Sequence, residues 1–467
     1  MELRKKFGQK VDAFLQRFSL AATGSNFGFS EPFAINEVNA RPLIDLGSCV
    51  YVPNEYRLLG SIYESPFYWM MADASYRDST AAHRGEFLEK STAHILRSVF
   101  GEEHVHENVI IWRSKKEIAG EADVLVVYGE FVIVVQAKSK RVTIKARAGN
   151  TAALKADFEA AIQHPYQQAH EFAELIQSGA ECITKSGKIL ALPRVRRIFP
   201  LVTLSDPFPS VTLLSSFMLQ HSEEIAPVIW DIGVLDCIAK ILPTPIDLLF
   251  YLKCRSASYE TIHSDSEYNF LGYHLEKKLA QSPEYNFMMI DRGFAGIVDD
   301  FMIASEAGAS NVKRPTGILD RLQIPIISDL FRRLKTAPPD FSSILIDLYD
   351  FSSAALENLG AQIQKLRDDV SAGKEFKSFS IPTESGGITY FVARRNTAQH
   401  RDAAHAIGAK YKYDTKQDRW YVIFDSIENT EPVDALLPIV GVWREDVDLA
   451  NNSARVSELF NSQQHQG

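Results

Sequence analysis

Cysteine is scarce: four in 467 residues, Cys49, Cys182, Cys237 and Cys254, far apart and with no CxxC pair. That excludes a disulfide framework or a zinc finger and suits a reducing cytosol. No apolar run approaches the roughly 20 residues a membrane span needs, so neither a membrane location nor a membrane partner is expected. The opening MELRKKFGQKVDAFLQRFSL lacks the continuous apolar stretch of a secretion signal. Leu3, Phe7, Val11, Phe14 and Phe18 recur at helical spacing, which predicts an amphipathic helix packing on its own protein or a sister chain. Basic excess is also missing. The formal net charge of -9 speaks against a protein that coats nucleic acid. It leaves room for an enzyme with one basic groove, because charge distribution matters more than the sum. No internal repeat is found.

The composition, 46% hydrophobic and 23% charged, is that of a globular protein. The length suggests about two to four domains. Residues 1–78 read as a lead-in, aromatic-rich beyond residue 31 and without a clear period. Residues 79–254 carry the order helix, strand, strand, strand, helix, strand. STAAHRGEFLEKSTAHILRSVFG is a helix with a Leu88, Ile95, Leu96, Val99 stripe and Gly101 as its stop. Pro165 must kink or split the helix that ends at Gly179. Residues 255–375 are mainly helical. Residues 376–446 form a small α/β module, read as strand ITYFVA, helix TAQHRDAAHAIG ended by Gly408, strand KYKYD and strand RWYVIFD. Residues 447–467 look like a flexible tail.

The most informative stretch is GEADVLVVYGEFVIVVQAKSKR, residues 120–141. Val124–Tyr128 and Phe131–Val135 are runs of β-branched and aromatic residues, and Gly129-Glu130 is a two-residue hairpin connection. That turn pairs Tyr128 with Phe131, Val126 with Ile133, Val124 with Val135 and therefore Asp123 with Gln136. Opposed residues share a face, and Lys138, two further on, shares it too. Asp123, Gln136 and Lys138 thus converge at the end of an apolar ribbon, which is costly unless something satisfies them. A hard divalent cation would, since Mg²⁺ takes oxygen ligands and needs few from protein beside a substrate phosphate. The lysine could position or help deprotonate the attacking water. A structural Asp123–Lys138 ion pair with a solvated Gln136 is the competing reading.

With this motif inside an αβββαβ order, the sequence resembles the PD-(D/E)XK phosphodiesterase superfamily, and its Gln136-Ala137-Lys138 after Asp123 is similar to Mrr-like restriction endonucleases. The resemblance implies a restriction-endonuclease-like core, with Mg²⁺ or Mn²⁺ held by Asp123, Gln136 and the Ala137 carbonyl, and Lys138 as catalytic lysine. It also implies a further acid from the first helix. Of Glu86 and Glu89, helical phase favours Glu89, which falls within the apolar arc. The activity implied is metal-dependent DNA endonuclease in prokaryotic restriction or anti-phage defence, in the cytoplasm. RNA cleavage and a degenerate nuclease fold serving as a binding scaffold stay open, as do a homo-oligomer and a defence-system partner protein.

Beyond the lysine, KSKRVTIKARAGN contains no acid. Lys140, Arg141, Lys145 and Arg147 are candidates for holding a nucleic-acid backbone, unless the run is only a charged strand edge. Gln163, Tyr166 and Gln167 resemble the helix glutamine and tyrosine that support the site in several branches of the superfamily. In the C-terminal module, strand alternation would put Tyr411 and Tyr413 inward and leave Lys410 and Lys412 exposed with Arg394 and Arg395. AIGAKYKYDTKQDRWYV is similar to a small accessory domain of DNA-handling proteins.

Overall fold

The computed structural model describes residues 2–30, 36–114, 117–208, 211–222, 225–282, 284–445 and 450. Its largest sheet contains β1 (Val105–Ser114), β2 (Glu117–Tyr128), β3 (Phe131–Lys138), β4 (Cys182–Thr184), β5 (Ile189–Leu190), β6 (Arg197–Leu204) and β7 (Val228–Asp231). The spatial order is β7-β6-β3-β2-β1-β4-β5. β1, β2 and β3 form an antiparallel meander, and β3, β6 and β7 run parallel. The β2–β3 register is the one the short turn dictates: Tyr128 opposite Phe131, Val126 opposite Ile133, Val124 opposite Val135. Gly129 supplies the positive φ, 54°, that this turn requires. Pro200 sits in β6 just before the β7 ladder begins at Leu201, so its missing N–H costs little pairing.

Both faces of the sheet are covered, which is why its central strands read as nearly unbroken apolar runs. Helix α1 (Arg77–Phe100) lays Ala93, Leu96 and Val99 on Val124, Val126, Phe131, Ile133 and Val135. Helix α2 (His164–Gln177) lays Ala169, Phe172 and Ala173 on Leu125, Val132 and Val134. Pro165 is absorbed by a π-helical turn, Glu159–Gln163, which separates α2 from the helix Thr151–Phe158.

The N-terminal amphipathic stretch is two helices, Glu2–Phe7 and Gln9–Phe18, parted at Gly8, whose φ is 58°. Phe18 is buried with its ring 5.3 Å from that of Trp69. Residues 55–72, which showed no period, form a helix, Glu55–Ala72, with Pro66 inside it. Helices from Ile232 to Ser371 build a helix-rich middle that shares one apolar core with α1 and the sheet.

The C-terminal module contains β8 (Phe376–Thr383), β9 (Gly386–Ala393), helix α3 (Ala398–Asp414), β10 (Arg419–Ser426) and β11 (Ala435–Val440), with sheet order β8-β9-β10-β11. The expected strand KYKYD is the end of α3, and Gly408 lies inside that helix. A Cβ at Gly408 would stand 2.5 Å from Val422 and 2.9 Å from Ile439, so this glycine permits a close helix–sheet approach and ends nothing. Ala404, Ile407, Gly408 and Tyr411 form the i, i+3, i+4, i+7 stripe that faces the sheet. Tyr411 stacks on Trp420 at 6.1 Å and Tyr413 packs against Trp443 at 5.9 Å. Helical geometry overturns the expected alternation of faces. Lys410 pairs with Asp414 and Lys412 donates to the Gly441 carbonyl, so both lysines are half-buried and engaged. Arg394 and Arg395 are exposed. The expected tail lies, except for residue 450, outside the described residues. Among the described residues, no helix is long and apolar enough to cross a membrane.

Candidate active site at the open end of the hairpin

The β2–β3 ladder stops at Val124–Val135, so Asp123 does not pair directly with Gln136 as alternation predicted. On the other side, β1–β2 pairing passes from Glu107–Val124 to Val109–Ala122, skipping Asn108 and Asp123. Asn108 has a φ of 51°, and a left-handed residue in a strand bends and twists it. Accordingly Val124 joins the core under α1 while Ala122 joins the core under α2, although regular alternation would put both on one face. Side chains replace the missing ladder bonds. Asp123 Oδ2 accepts from the Ala137 N–H at 2.7 Å, and Gln136 Nε2 donates to the Glu121 carbonyl at 2.5 Å.

Helix α1 brings Glu89 to this splayed end. Burial raises the Glu89 pKa above the ordinary glutamate value, and the Asp123 charge raises it further, while Lys138 opposes them. Asp123 is likewise pushed up by burial, against the pull of the Ala137 N–H and Lys138. Glu89, Asp123 and Lys138 therefore act on one another electrostatically. Glu86 is exposed one turn away and paired with Lys90 at 2.6 Å. Glu121 also acts on Glu89, a neighbour that sequence reasoning missed. Its i, i+2 spacing from Asp123 was the available signal. A Cβ on Gly85 would lie 4.0 Å from both Glu89 Oε1 and Ser139 Oγ, so the strand end and α1 meet across a residue without a side chain.

Among the described residues, no group of three or more His, Cys, Asp or Glu is placed to hold a metal ion. The donors present are all oxygens: two desolvated carboxylates, the Gln136 amide oxygen left over from its N–H bond, and backbone carbonyls. Oxygens are the kind of donor that Mg²⁺ or Mn²⁺ takes and zinc structural sites do not.

The basic run divides. Arg141 is only 8% exposed and clamps Asp206 through Nε at 2.9 Å and Nη2 at 2.6 Å, so it is no free phosphate contact. Burial works to raise the Asp206 pKa, but hydrogen bonds from Arg141 and Ser205 and the charges of Arg141 and Arg84 outweigh it. Arg147 lies 4.0 Å from Glu64, and Lys140 lies 3.5 Å from Asp157 while staying largely open. Lys145 is exposed. The run is no strand edge but a loop leading into the short helix Ile144–Arg147. Gln163 and Tyr166 do not reach the site. Gln163 holds both backbone groups of Gln220, and the Tyr166 hydroxyl accepts from Ser222 N–H and donates to the Ile225 carbonyl. Gln167 is exposed. Compared with family models, with curated proteins and with solved structures, the chain matches none.

Proposed function

We propose that this chain is a metal-dependent phosphodiesterase with a restriction-endonuclease-like αβββαβ core, an endonuclease acting on DNA. The observation that carries the reading is that α1 brings Glu89 against the end of β3, where Glu89 Oε1 and Ser139 Oγ both flank Gly85, while Asp123 is held across the splayed hairpin by the Ala137 N–H. A bound Mg²⁺ or Mn²⁺ would supply Lewis-acid stabilisation of the charge on the phosphate. Asp123, fixed by the Ala137 N–H, would hold the cation with Glu89, the Gln136 amide oxygen and the Ala137 carbonyl. Lys138, at the end of the same strand, would orient the attacking water and balance negative charge as it grows on the phosphate oxygens. Restriction or anti-phage defence in the cytoplasm is the setting this reading implies.

The test is incubation of supercoiled plasmid with Mg²⁺, Mn²⁺ or a chelator. Nicking or degradation that needs the cation and is lost in Asp123→Ala supports the reading. Cleavage by Lys138→Ala at the wild-type rate removes this site from the chemistry.

A further inference from the structure

Directly beside Lys138 opens a cleft of about 950 Å³ whose mostly apolar lining, Ala81, Val142, Ala153 and Ala156 among it, also carries aromatic and basic side chains. Phe67, Tyr68 and Met71 from the helix Glu55–Ala72 line it. Lys138, Ser139, Lys140 and Lys145, from the end of β3 and the chain that follows it, also line it. Asp157 is the acid on its lining, and its carboxylate already accepts from the Thr143 N–H at 2.7 Å and faces Lys140 at 3.5 Å.

The aromatic residues are anchored. The Arg84 and Arg141 guanidinium groups stand 4.8 and 4.7 Å from the Phe67 ring centroid, and both arginines pair with Asp206. The Tyr63 hydroxyl, on the same helix, donates to the Ser205 carbonyl at 2.9 Å. Tyr68, with the Arg141 guanidinium 6.0 Å from its ring centroid, and Met71 keep 36% and 38% of their surface open.

Resting on the phosphodiesterase reading, we propose that the cleft binds unpaired nucleic acid, with a base against Tyr68 and Met71 and the backbone along Lys138, Lys140 and Lys145. Three observations converge. The volume falls within the roughly 300–1,000 Å³ of ligand clefts, a size for individual nucleotides. Aromatic faces beside cations serve bases whose own faces are free, whereas a duplex offers only base edges in its grooves. A duplex would also call for a broad basic surface, and here Arg141 is withdrawn into an ion pair on a chain of net charge -9.

The test is fluorescence anisotropy in a chelator with labelled oligo-dT of about ten nucleotides, alone and annealed to oligo-dA. The single strand is expected to bind at least about tenfold more tightly. Tyr68→Ala is expected to weaken it by roughly tenfold while leaving the duplex unchanged, since base stacking is worth about 1–3 kcal/mol. Tyr68→Phe, which keeps the ring, is expected to bind like wild type. Equal or tighter duplex binding, or equal loss on both probes in Tyr68→Ala, overturns the proposal. Because no cation is present, the binding result stands apart from cleavage. Single-strand binding without cleavage in any cation sinks the phosphodiesterase reading alone. Cleavage of duplex indifferent to Tyr68 sinks this one alone.

Discussion

The two ends of the β2–β3 hairpin treat charge in opposite ways. At the turn, Gly129 packs so closely on the Pro339 carbonyl that a Cβ would stand 2.2 Å from it. Its neighbour Glu130 is paired with Arg419, accepts from the Ser343 hydroxyl at 2.6 Å, and uses its carbonyl to receive the Arg196 N–H at 2.8 Å. At the other end Glu89 and Asp123 are partly withdrawn from water, opposed by Lys138 and, for Asp123, by the Ala137 N–H. One end is saturated and ties the sheet to the C-terminal module. The other keeps negative charge that a cation would satisfy. Buried charges are paired when they serve the fold, and a shortage of compensation in a cleft marks a candidate site.

The strongest way to break the contrast is to remove its saturated end. Deleting residues 376–446 takes Arg419 from Glu130 and uncovers apolar surface, because Ile388, Tyr390, Tyr421 and Ile423 belong to the main core. The truncated chain is expected to be insoluble or molten, as solubility and near-ultraviolet dichroism would reveal. Next comes chemistry at the open end. Lys138→Ala is expected to lower cleavage by about 10²–10⁴-fold with an unchanged Tm, the range for a positioned proton-transfer group. Arg419→Ala, which strands Glu130, is expected to cost about 3–5 kcal/mol in urea unfolding. The protein that remains folded should cleave normally.

The pH dependence sharpens the comparison further. A carboxyl whose pKa is raised by folding binds its proton more tightly in the native state. Stability therefore falls as pH rises from the ordinary carboxylate value through the raised one, and the penalty persists above it. Asp123→Asn and Glu89→Gln are accordingly expected to raise Tm at neutral pH. The gain should shrink toward zero in acid, where wild type is protonated. A neutral-pH Tm equal to or below wild type in both would mean that the open end carries no such penalty. The smallest effect is expected at Lys145, where replacement by alanine should reduce the log–log salt slope of oligo-dT binding by roughly one unit or less.

Much of the site was legible because its signals are local. The two-residue turn fixed the pairing of β2 with β3, and helical phase on α1 separated Glu89 from Glu86. The pairing argument failed one step too far out, at Asp123 and Gln136, because Asn108 on a different strand twists the ladder there. The helix Glu55–Ala72 carried no legible period, since its aromatic face lies partly on the cleft and Pro66 interrupts its pattern.

By itself the sequence determined the strand-rich meander with an acid at its opening and a lysine at its close, because alternation and turn length act over a few residues. Tertiary structure alone decided which charges are spent. Arg141 finds its acid 65 positions away and Glu130 its arginine 289 away, so no window of sequence could show that either is occupied. It also decided that KYKYD continues a helix, since Gly408 and Tyr411 gain their burial only against strands β10 and β11 that follow them. Helix and strand propensities differ by only about 1 kcal/mol, and packing across the chain overrides them.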